Sequence, residues 1–386
     1  MKLIYCTHSV VNPGGMERVL LNKVSYLRSH TDWELLVVTT DQKGRAPFYP
    51  FPEGVRMVDL NINYSDDNVL PPWGKIQGYL RRRKLHRQRL TELLMKEQAD
   101  VVASLYPSES SFLPEIKDGS RKVLELHFNK FFRLQYNRRG VLGWIDRFRT
   151  WQDERIVRRF DKFVVLTEAD RKNWGPLANI VTIPNAALLM AKETADCAVH
   201  RVIAVGRLDY QKGFDRLIDV WRKVMTYPDL QDWRLDIFGQ GEWKEMLEER
   251  IQRYGLEGKA CINTPSKDIA REYAASSLIV MSSNYEGFGM VLVEGMACGL
   301  PAVAFDCPCG PSDIISSGKN GILVPNGDLD GMVLALTMLM RDEKLRKKMS
   351  EKAREVVETY SEERVMGLWL KLFEELVPGC TSRKGV

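Results

Sequence analysis

Asn284-Tyr285-Glu286-Gly287-Phe288-Gly289-Met290-Val291-Leu292-Val293-Glu294 follows a short apolar run ending near Met281 and leads into helical spacing. Gly287 and Gly289 break that spacing, so a turn is expected before Met290 and a helix from about Met290 onward. Strand, glycine-broken turn and helix form the unit from which parallel sheets covered by helices are built. At such a helix start the unpaired N–H groups of residues 288–291 can meet phosphate or sugar oxygens. Glu286 then lies in the turn and Glu294 inside the helix, and two carboxylates placed this way can accept hydrogen bonds from vicinal hydroxyls. Glu294 stands among Val291, Leu292, Val293, Met296 and Ala297, which predicts a buried carboxylate with a partner rather than one more solvated helix face. Polyol plus phosphate is the chemistry of a nucleotide-sugar.

The same rhythm extends outward almost from end to end. In the first half, residues 3–7, 35–39, 56–60, 101–105, 123–126 and 163–166 read as strands, with helical patterns over 16–29, 79–96 and 143–159. In the second half, strands are expected at 202–205, 235–238, 278–281, 302–305 and 322–324, and helices at 214–225, 243–254, 290–297 and 330–340. A chain of 386 residues exceeds one ordinary core. The predicted fold is therefore α/β with two doubly wound, Rossmann-like domains, 1–190 and 191–360, joined within 188–200 after the turn-forming Pro184-Asn185. Ligands in such sheets collect at the carboxyl ends of the strands, so the gap between two of them is the expected place for chemistry.

Two other turns carry phosphate-binding features. Asn12-Pro13-Gly14-Gly15-Met16-Glu17-Arg18 joins the first strand to the first helix, and its glycine pair lets backbone approach a ligand. Val205-Gly206-Arg207-Leu208-Asp209-Tyr210-Gln211-Lys212-Gly213 sets two cations, Arg207 and Lys212, beside a helix start, where a diphosphate can share them. Phe238-Gly239-Gln240-Gly241 is not G-x-G-x-x-G and carries little weight alone.

Charge is shared unevenly. Residues 1–190 hold 30 Lys/Arg against 21 Asp/Glu, whereas 191–386 hold 26 against 30, which points to an anionic surface touching the first half. Lys75, Arg81, Arg82, Arg83, Lys84, Arg87 and Arg89 run without an acid between them, interleaved with Ile76, Tyr79, Leu80, Leu85 and Leu90. A basic amphipathic helix so made is either a solvated face or a patch for anionic lipid head groups. No recognition helix, zinc finger or stacking platform accompanies the charge, so nucleic acid is not an expected partner. Seven scattered cysteines read as reduced thiols, and the N-terminus lacks a signal-peptide h-region, so a cytoplasmic protein, peripheral on the inner face of the plasma membrane if the basic patch meets lipid, is expected.

Taken together these residues resemble the retaining, nucleotide-sugar-dependent glycosyltransferases of family 4 (glycosyl transferases group 1), of the bacterial polysaccharide-assembly type, which have GT-B architecture. The E-x7-E pair Glu286 and Glu294 is that family's most specific mark. Val205-Gly206-Arg207-Leu208 with Lys212-Gly213, and Glu294-Gly295-Met296-Ala297-Cys298-Gly299-Leu300-Pro301, match in order and spacing. Asp313 stands where many members have Glu, and Ala186-Ala187 where Gly or Pro is usual. The resemblance implies that Arg207 and Lys212 neutralise the donor diphosphate, Glu294 binds ribose hydroxyls and Glu286 contacts the transferred sugar. It further implies that the backbone of Gly287, Phe288, Gly289, Met290 and Val291 completes the cradle, that Gly14 and Gly15 approach the phosphates from the other domain, and that His127 lines the acceptor side. In this architecture the last helix, about 361–386, packs back on the first domain. No cofactor or metal is implied, the nucleotide-sugar being a substrate; His residues show no ligand spacing, and Cys307-x-Cys309 lacks a second pair.

The implied reaction moves a hexose or N-acetylhexosamine from a nucleotide-sugar, a UDP-sugar foremost, to a saccharide acceptor, lipid-linked in cell-surface polysaccharide assembly. A nucleotide-sugar 2-epimerase of the same architecture is the alternative, and a non-catalytic nucleotide-binding module the remaining one. A nicotinamide oxidoreductase is disfavoured because the first turn carries no G-x-G-x-x-G.

Overall fold

The protein was analysed as a computed structural model that describes residues 1–12, 14–69, 71–105, 108–136, 138, 140–187 and 194–380. Its first sheet contains β1 (Lys2–Thr7), β2 (Glu34–Thr39), β3 (Arg56–Asp59), β4 (Val101–Ser104), β5 (Arg121–Leu126), β6 (Lys162–Val165) and β7 (Ile180–Thr182) in the order β3-β2-β1-β4-β5-β6-β7. The second contains β8 (Arg201–Val205), β9 (Arg234–Phe238), β10 (Ala260–Asn263), β11 (Leu278–Met281), β12 (Ala302–Asp306) and β13 (Gly321–Pro325) in the order β10-β9-β8-β11-β12-β13. Every pairing is parallel, with Leu3 opposite both Leu35 and Val101, and Val202 opposite both Leu235 and Leu278. The strand order turns back at β1/β4 and at β8/β11, the positions where doubly wound sheets open a crevice for ligands.

Thirteen helices cover these sheets among the described residues: α1 (Gly15–His30), α2 (Pro72–Glu97), α3 (Gly140–Val157), α4 (Glu168–Trp174), α5 (Phe214–Val224), α6 (Lys244–Arg253), α7 (Ile269–Ala274), α8 (Met290–Ala297), α9 (Pro311–Ile314), α10 (Leu329–Arg341), α11 (Glu343–Ala353), α12 (Val356–Tyr360) and α13 (Glu362–Leu376). Strand side chains alternate between faces. Ile4, Leu36, Val102 and Leu124 therefore pack with Leu90 and Leu94 of α2 and Val157 of α3. Leu3, Leu35, Val101 and Val123 point the other way and pack with Leu20 and Val24 of α1 and Trp369 and Phe373 of α13. Fully burying one such side chain contributes about 1.5–3 kcal/mol. In the second half, α5, α6 and α10 cover one sheet face while α8 and α12 cover the other.

The last helix belongs to the first sheet. Ser361 caps α13 by accepting from Arg364 N at 3.3 Å, Phe373 meets Trp33 edge-on at 5.6 Å, and Trp33 Nε1 donates to the Cys380 carbonyl at 2.8 Å. The two crossings between the halves are bonded together where Ala187 N donates to the Tyr360 carbonyl at 2.7 Å. The domain limit between 190 and 191 lies in 188–193, outside the described residues, as do 381–386 of the expected tail. Strands β7 and β10 were not expected: Ile180–Thr182 is only three residues long, and Ala260–Asn263 holds a single β-branched residue, Ile262.

The basic helix departs from its expectation. Ile76, Tyr79 and Leu80 of α2 face solvent, whereas Leu90 and Leu94 are buried. Four of the seven cations between 75 and 89 hold the domain together: Arg82 pairs with Asp67 at 2.7 Å, Arg83 donates to Ser111 at 2.9 Å, Arg87 pairs with Glu115 at 2.8 Å, and Arg89 donates to the Leu60 carbonyl at 2.6 Å. Lys75, Arg81 and Lys84 stand exposed.

Candidate functional site

The carboxyl ends of the two sheets face one another, and the contact is made by backbone. Residues 127–129 leave β5 and press against 286–288, which leave β11. A Cβ on Gly287 would collide with the His127 carbonyl, so only glycine permits this approach. Asn129 Nδ2 donates to the Glu286 carbonyl at 2.8 Å across the seam. Gly289 takes φ 99°, a left-handed conformation suited to glycine, and starts α8 with no side-chain cap, leaving its first N–H groups to an external acceptor.

Glu286 is held in this turn as a paired anion. Its Oε1 accepts from Lys212 Nζ at 2.7 Å and from Ser283 Oγ at 2.6 Å, with Lys212 and Glu286 side chains only 13% and 6% exposed. The Lys212 loop after β8 is stitched to the Glu286 loop after β11: Asn284 N donates to the Gln211 carbonyl at 2.7 Å, and Ser282 Oγ to the Lys212 carbonyl at 2.9 Å. Arg207 shares the loop but is arranged differently. Its side chain is 68% exposed, with the guanidinium turned to Gln211 Oε1 at 2.7 Å and Asp209 Oδ2 at 3.2 Å. Lys212 and Arg207 thus each have a carboxylate partner, and an incoming diphosphate has to compete with Glu286 and Asp209 for them.

Glu294 lies half-buried on α8 with Tyr273 Oη donating at 3.4 Å. Burial pushes its carboxyl above the usual range; the Arg18 guanidinium on α1, and Lys212 more weakly, pull it back. Phe288 is buried and packs edge-on to Tyr360 at 5.3 Å, so it offers the site its backbone and not its ring. Met290 and Val291 are half-buried at the helix start.

From the first half, Gly14 and Gly15 begin α1, and Gly15 has open space where a Cβ would sit; Pro13 lies outside the described residues. The Glu17 side chain folds back against Gly14, and burial raises its carboxyl while His127 and His8 oppose the rise. His127 presents its carbonyl to Gly287, but its ring turns inward: Nε2 lies 3.4 Å from Oε2 of buried Glu125. Glu125 in turn pairs with buried Lys23 at 2.5 Å, whose ammonium sits 3.6 Å over the Trp369 ring. Burial works against the Glu125 charge, yet Lys23 and His127 hold its carboxyl below the usual range.

Sequence reasoning missed Ser283, Tyr273, Asn129, Glu125, Lys23 and Arg18. Arg18 was visible within the Gly14-Gly15 turn and Ser283 lies three residues before its partner Glu286, but Tyr273, Asn129, Glu125 and Lys23 gain meaning from partners distant in the chain. The chain's D-x-D tripeptide, Asp328-Leu329-Asp330, serves structure: Asp328 caps α10 by accepting from Gly331 N at 2.9 Å, and Asp330 pairs with Lys223 at 2.6 Å. Among the described residues no three His, Cys, Asp or Glu side chains converge to hold a metal ion.

The family model described as "Glycosyl transferases group 1" matches residues 190–356, and that described as "Glycosyltransferase Family 4" matches 13–187. The amylovoran biosynthesis glycosyltransferase AmsD of Erwinia amylovora is 42% identical over 170 residues, 44% of this chain and 47% of that protein. An uncharacterized glycosyltransferase of Haemophilus influenzae is 28% identical over 375 residues, 95% of this chain and 98% of that one. The AmsD match thus spans about half of that relative's length. Among solved structures, a TarM mutant of S. aureus, in complex with fondaparinux, alpha-GlcNAc-glycerol and UDP, superposes with TM-score 0.75 at 18% identity, covering 96% of this chain and 99% of that one. That likeness gives the fold, two Rossmann-like domains in GT-B arrangement. None of these likenesses supports the 2-epimerase alternative.

Proposed function

Because the chain belongs to the glycosyl transferases group 1 family, we propose that it transfers a hexose or N-acetylhexosamine from a UDP-sugar to a saccharide acceptor in bacterial cell-surface polysaccharide assembly. The observation that carries the reading is the Lys212–Glu286–Ser283 cluster, set at an uncapped helix start where both sheets end. Two named likenesses support its finer parts: AmsD is an amylovoran biosynthesis enzyme, and the TarM complex contains UDP.

In this reading the diphosphate lies between Arg207, Lys212 and the first N–H groups of α8. As the anomeric C–O bond breaks, negative charge grows on the departing phosphate oxygen, and Lys212 and Arg207 meet it. Glu294 accepts from ribose hydroxyls and Glu286 from the transferred sugar. The acceptor hydroxyl oxygen forms the new bond to the anomeric carbon, and its proton passes to the leaving diphosphate. No protein nucleophile takes part in this reading, and the acceptor attacks from the face the diphosphate leaves, so that configuration is retained; Lys212 and Ser283 hold Glu286 through its Oε1. His127, its ring turned to Glu125, adjoins the acceptor side through its backbone.

Purified protein incubated with UDP-sugars and saccharide acceptors should release UDP only when acceptor is present, with product configuration read from the anomeric proton coupling. Glu286→Gln should lower turnover by about 10²–10³-fold, the loss typical of removing one electrostatic contact to a transition state. Unchanged turnover in that variant would overturn the site assignment.

A further inference from the structure

Helix α3 is amphipathic in the reverse sense. Its inward face is polar until Val157 at its end: Asp146, Thr150 and Asp153 are buried, Asp146 pairs with Arg138 at 3.1 Å, Asp153 pairs with Arg133, and Thr150 Oγ1 bonds back to the Asp146 carbonyl at 2.9 Å. Its outward face is apolar. Val141, Trp144, Phe148 and Trp151 follow one another at spacings of three and four residues, exposed to 76%, 72%, 56% and 44%. Phe148 stacks on Trp151 at 5.6 Å, and the Arg155 guanidinium lies 3.8 Å over the Trp151 ring. A soluble helix buries its apolar stripe, so this one is built to be covered by something.

We propose that α3 is a membrane-docking helix that lies in the head-group region of an anionic bilayer and inserts Trp144, Phe148 and Trp151. Charge selects the occupant. Arg147, Arg149 and Arg155 are exposed beside the stripe and enter no ion pair among the described residues, whereas all three acids of α3 are paired, Glu154 with Lys130 at 2.7 Å. A second copy would bring the same cations against themselves; anionic phosphates complement them. Aromatic rings among arginines match the head-group boundary, apolar on one side and wet on the other.

The same sheet face carries α2, whose outer stripe of Trp73, Ile76 and Leu80 is 79%, 52% and 56% exposed and continues into Lys84. Glu115 ties the two helices together, pairing with Arg87 of α2 and, at 2.8 Å, with Arg159 just beyond α3. The membrane contact therefore belongs to α3 and the first turns of α2, not to the arginine run in the middle of α2. No helix among the described residues is long and apolar enough to cross a membrane, so the contact is an interfacial one.

The full chain should co-sediment with phosphatidylcholine vesicles containing phosphatidylglycerol, and bromine-labelled lipid should quench its tryptophan fluorescence. The variant Trp144→Ser/Phe148→Ser/Trp151→Ser should bind these vesicles at least about tenfold more weakly. Its thermal melt and its affinity for UDP should be unchanged, because these side chains are exposed and none is among the residues of the donor site. Vesicle binding as strong in the triple variant, or binding to pure phosphatidylcholine as strong in the wild type, overturns the proposal. A wild-type dimer that the triple variant dissociates would instead give this face to a second copy. None of these readings depends on glycosyl transfer, so failure here leaves the proposed reaction standing.

Discussion

Glu294 shows how a residue's surroundings set its use. Burial raises its carboxyl above the ordinary glutamate range of about 4.3. A raised carboxyl stabilises the fold fully below the unfolded value and loses that contribution as pH rises through the folded value. Glu294→Gln should therefore melt higher than wild type at neutral pH, the gap closing on mild acidification, while binding UDP more weakly. Wild-type affinity for UDP should fall more steeply on mild acidification than that of the Gln variant, which keeps only the fall due to the terminal phosphate taking up its own proton at about pH 6. Calorimetry across pH checks both signs. At this scale the sequence was informative where a residue contradicts its neighbours, as an acid inside Val291, Leu292 and Val293 does. It was silent where meaning comes from a distant partner: Asn129 reaches Glu286 across 157 positions, and no local pattern marks it. Nor did it show that Lys212 spends its charge on Glu286, because spacing places both in loops without saying which touch.

Among the elements, those with long periodic patterns were legible. Helix α8 spans 290–297, as its spacing after the two glycines predicts, and α13 spans 362–376 within the 361–386 that the resemblance implies. The orientation of α2 and α3 was not legible, since composition does not say which stripe meets the sheet. Where elements meet, single carboxylates hold them. Glu97 at the end of α2 accepts from Arg56 of β3 at 2.9 Å through both oxygens and pairs with Lys2 of β1 at 2.6 Å. The Arg56 and Lys2 hydrogen bonds depress its carboxyl to about 2. A depressed carboxyl contributes stability above the unfolded value, lost as pH falls through the folded one. Glu97→Gln should cost about 1.5–3 kcal/mol at neutral pH, the range for hydrogen bonds to charged groups, and the deficit should shrink as pH drops from about 4.3 toward 2. Urea unfolding at neutral and acid pH measures it, and a deficit independent of pH would contradict the linkage.

Over the whole molecule, two doubly wound sheets facing a gap were legible from the rhythm of strands and helices and from the resemblance, but the contacts that hold the halves together were not. That facing depends on a few polar contacts. Asp313, where many resembling proteins carry Glu, accepts from Glu168 N at 2.8 Å and so caps the first turn of α4 from the opposite half. Tyr360 Oη donates to the Asp313 carbonyl at 2.9 Å, linking this latch to the crossing segment. With Gly287 admitting the His127 carbonyl and Asn129 holding the Glu286 backbone, the halves meet at the turn assigned to the donor sugar. The whole arrangement has a purpose only if that turn receives a diphosphate. Titration calorimetry of UDP and of uridine into wild type and Lys212→Ala tests this most directly. The account predicts that wild type binds UDP at least about tenfold more tightly than uridine, and that Lys212→Ala removes most of the difference by deleting one charge-assisted contact worth about 1.5–3 kcal/mol while leaving uridine affinity alone. Equal UDP affinity in the two proteins would contradict it.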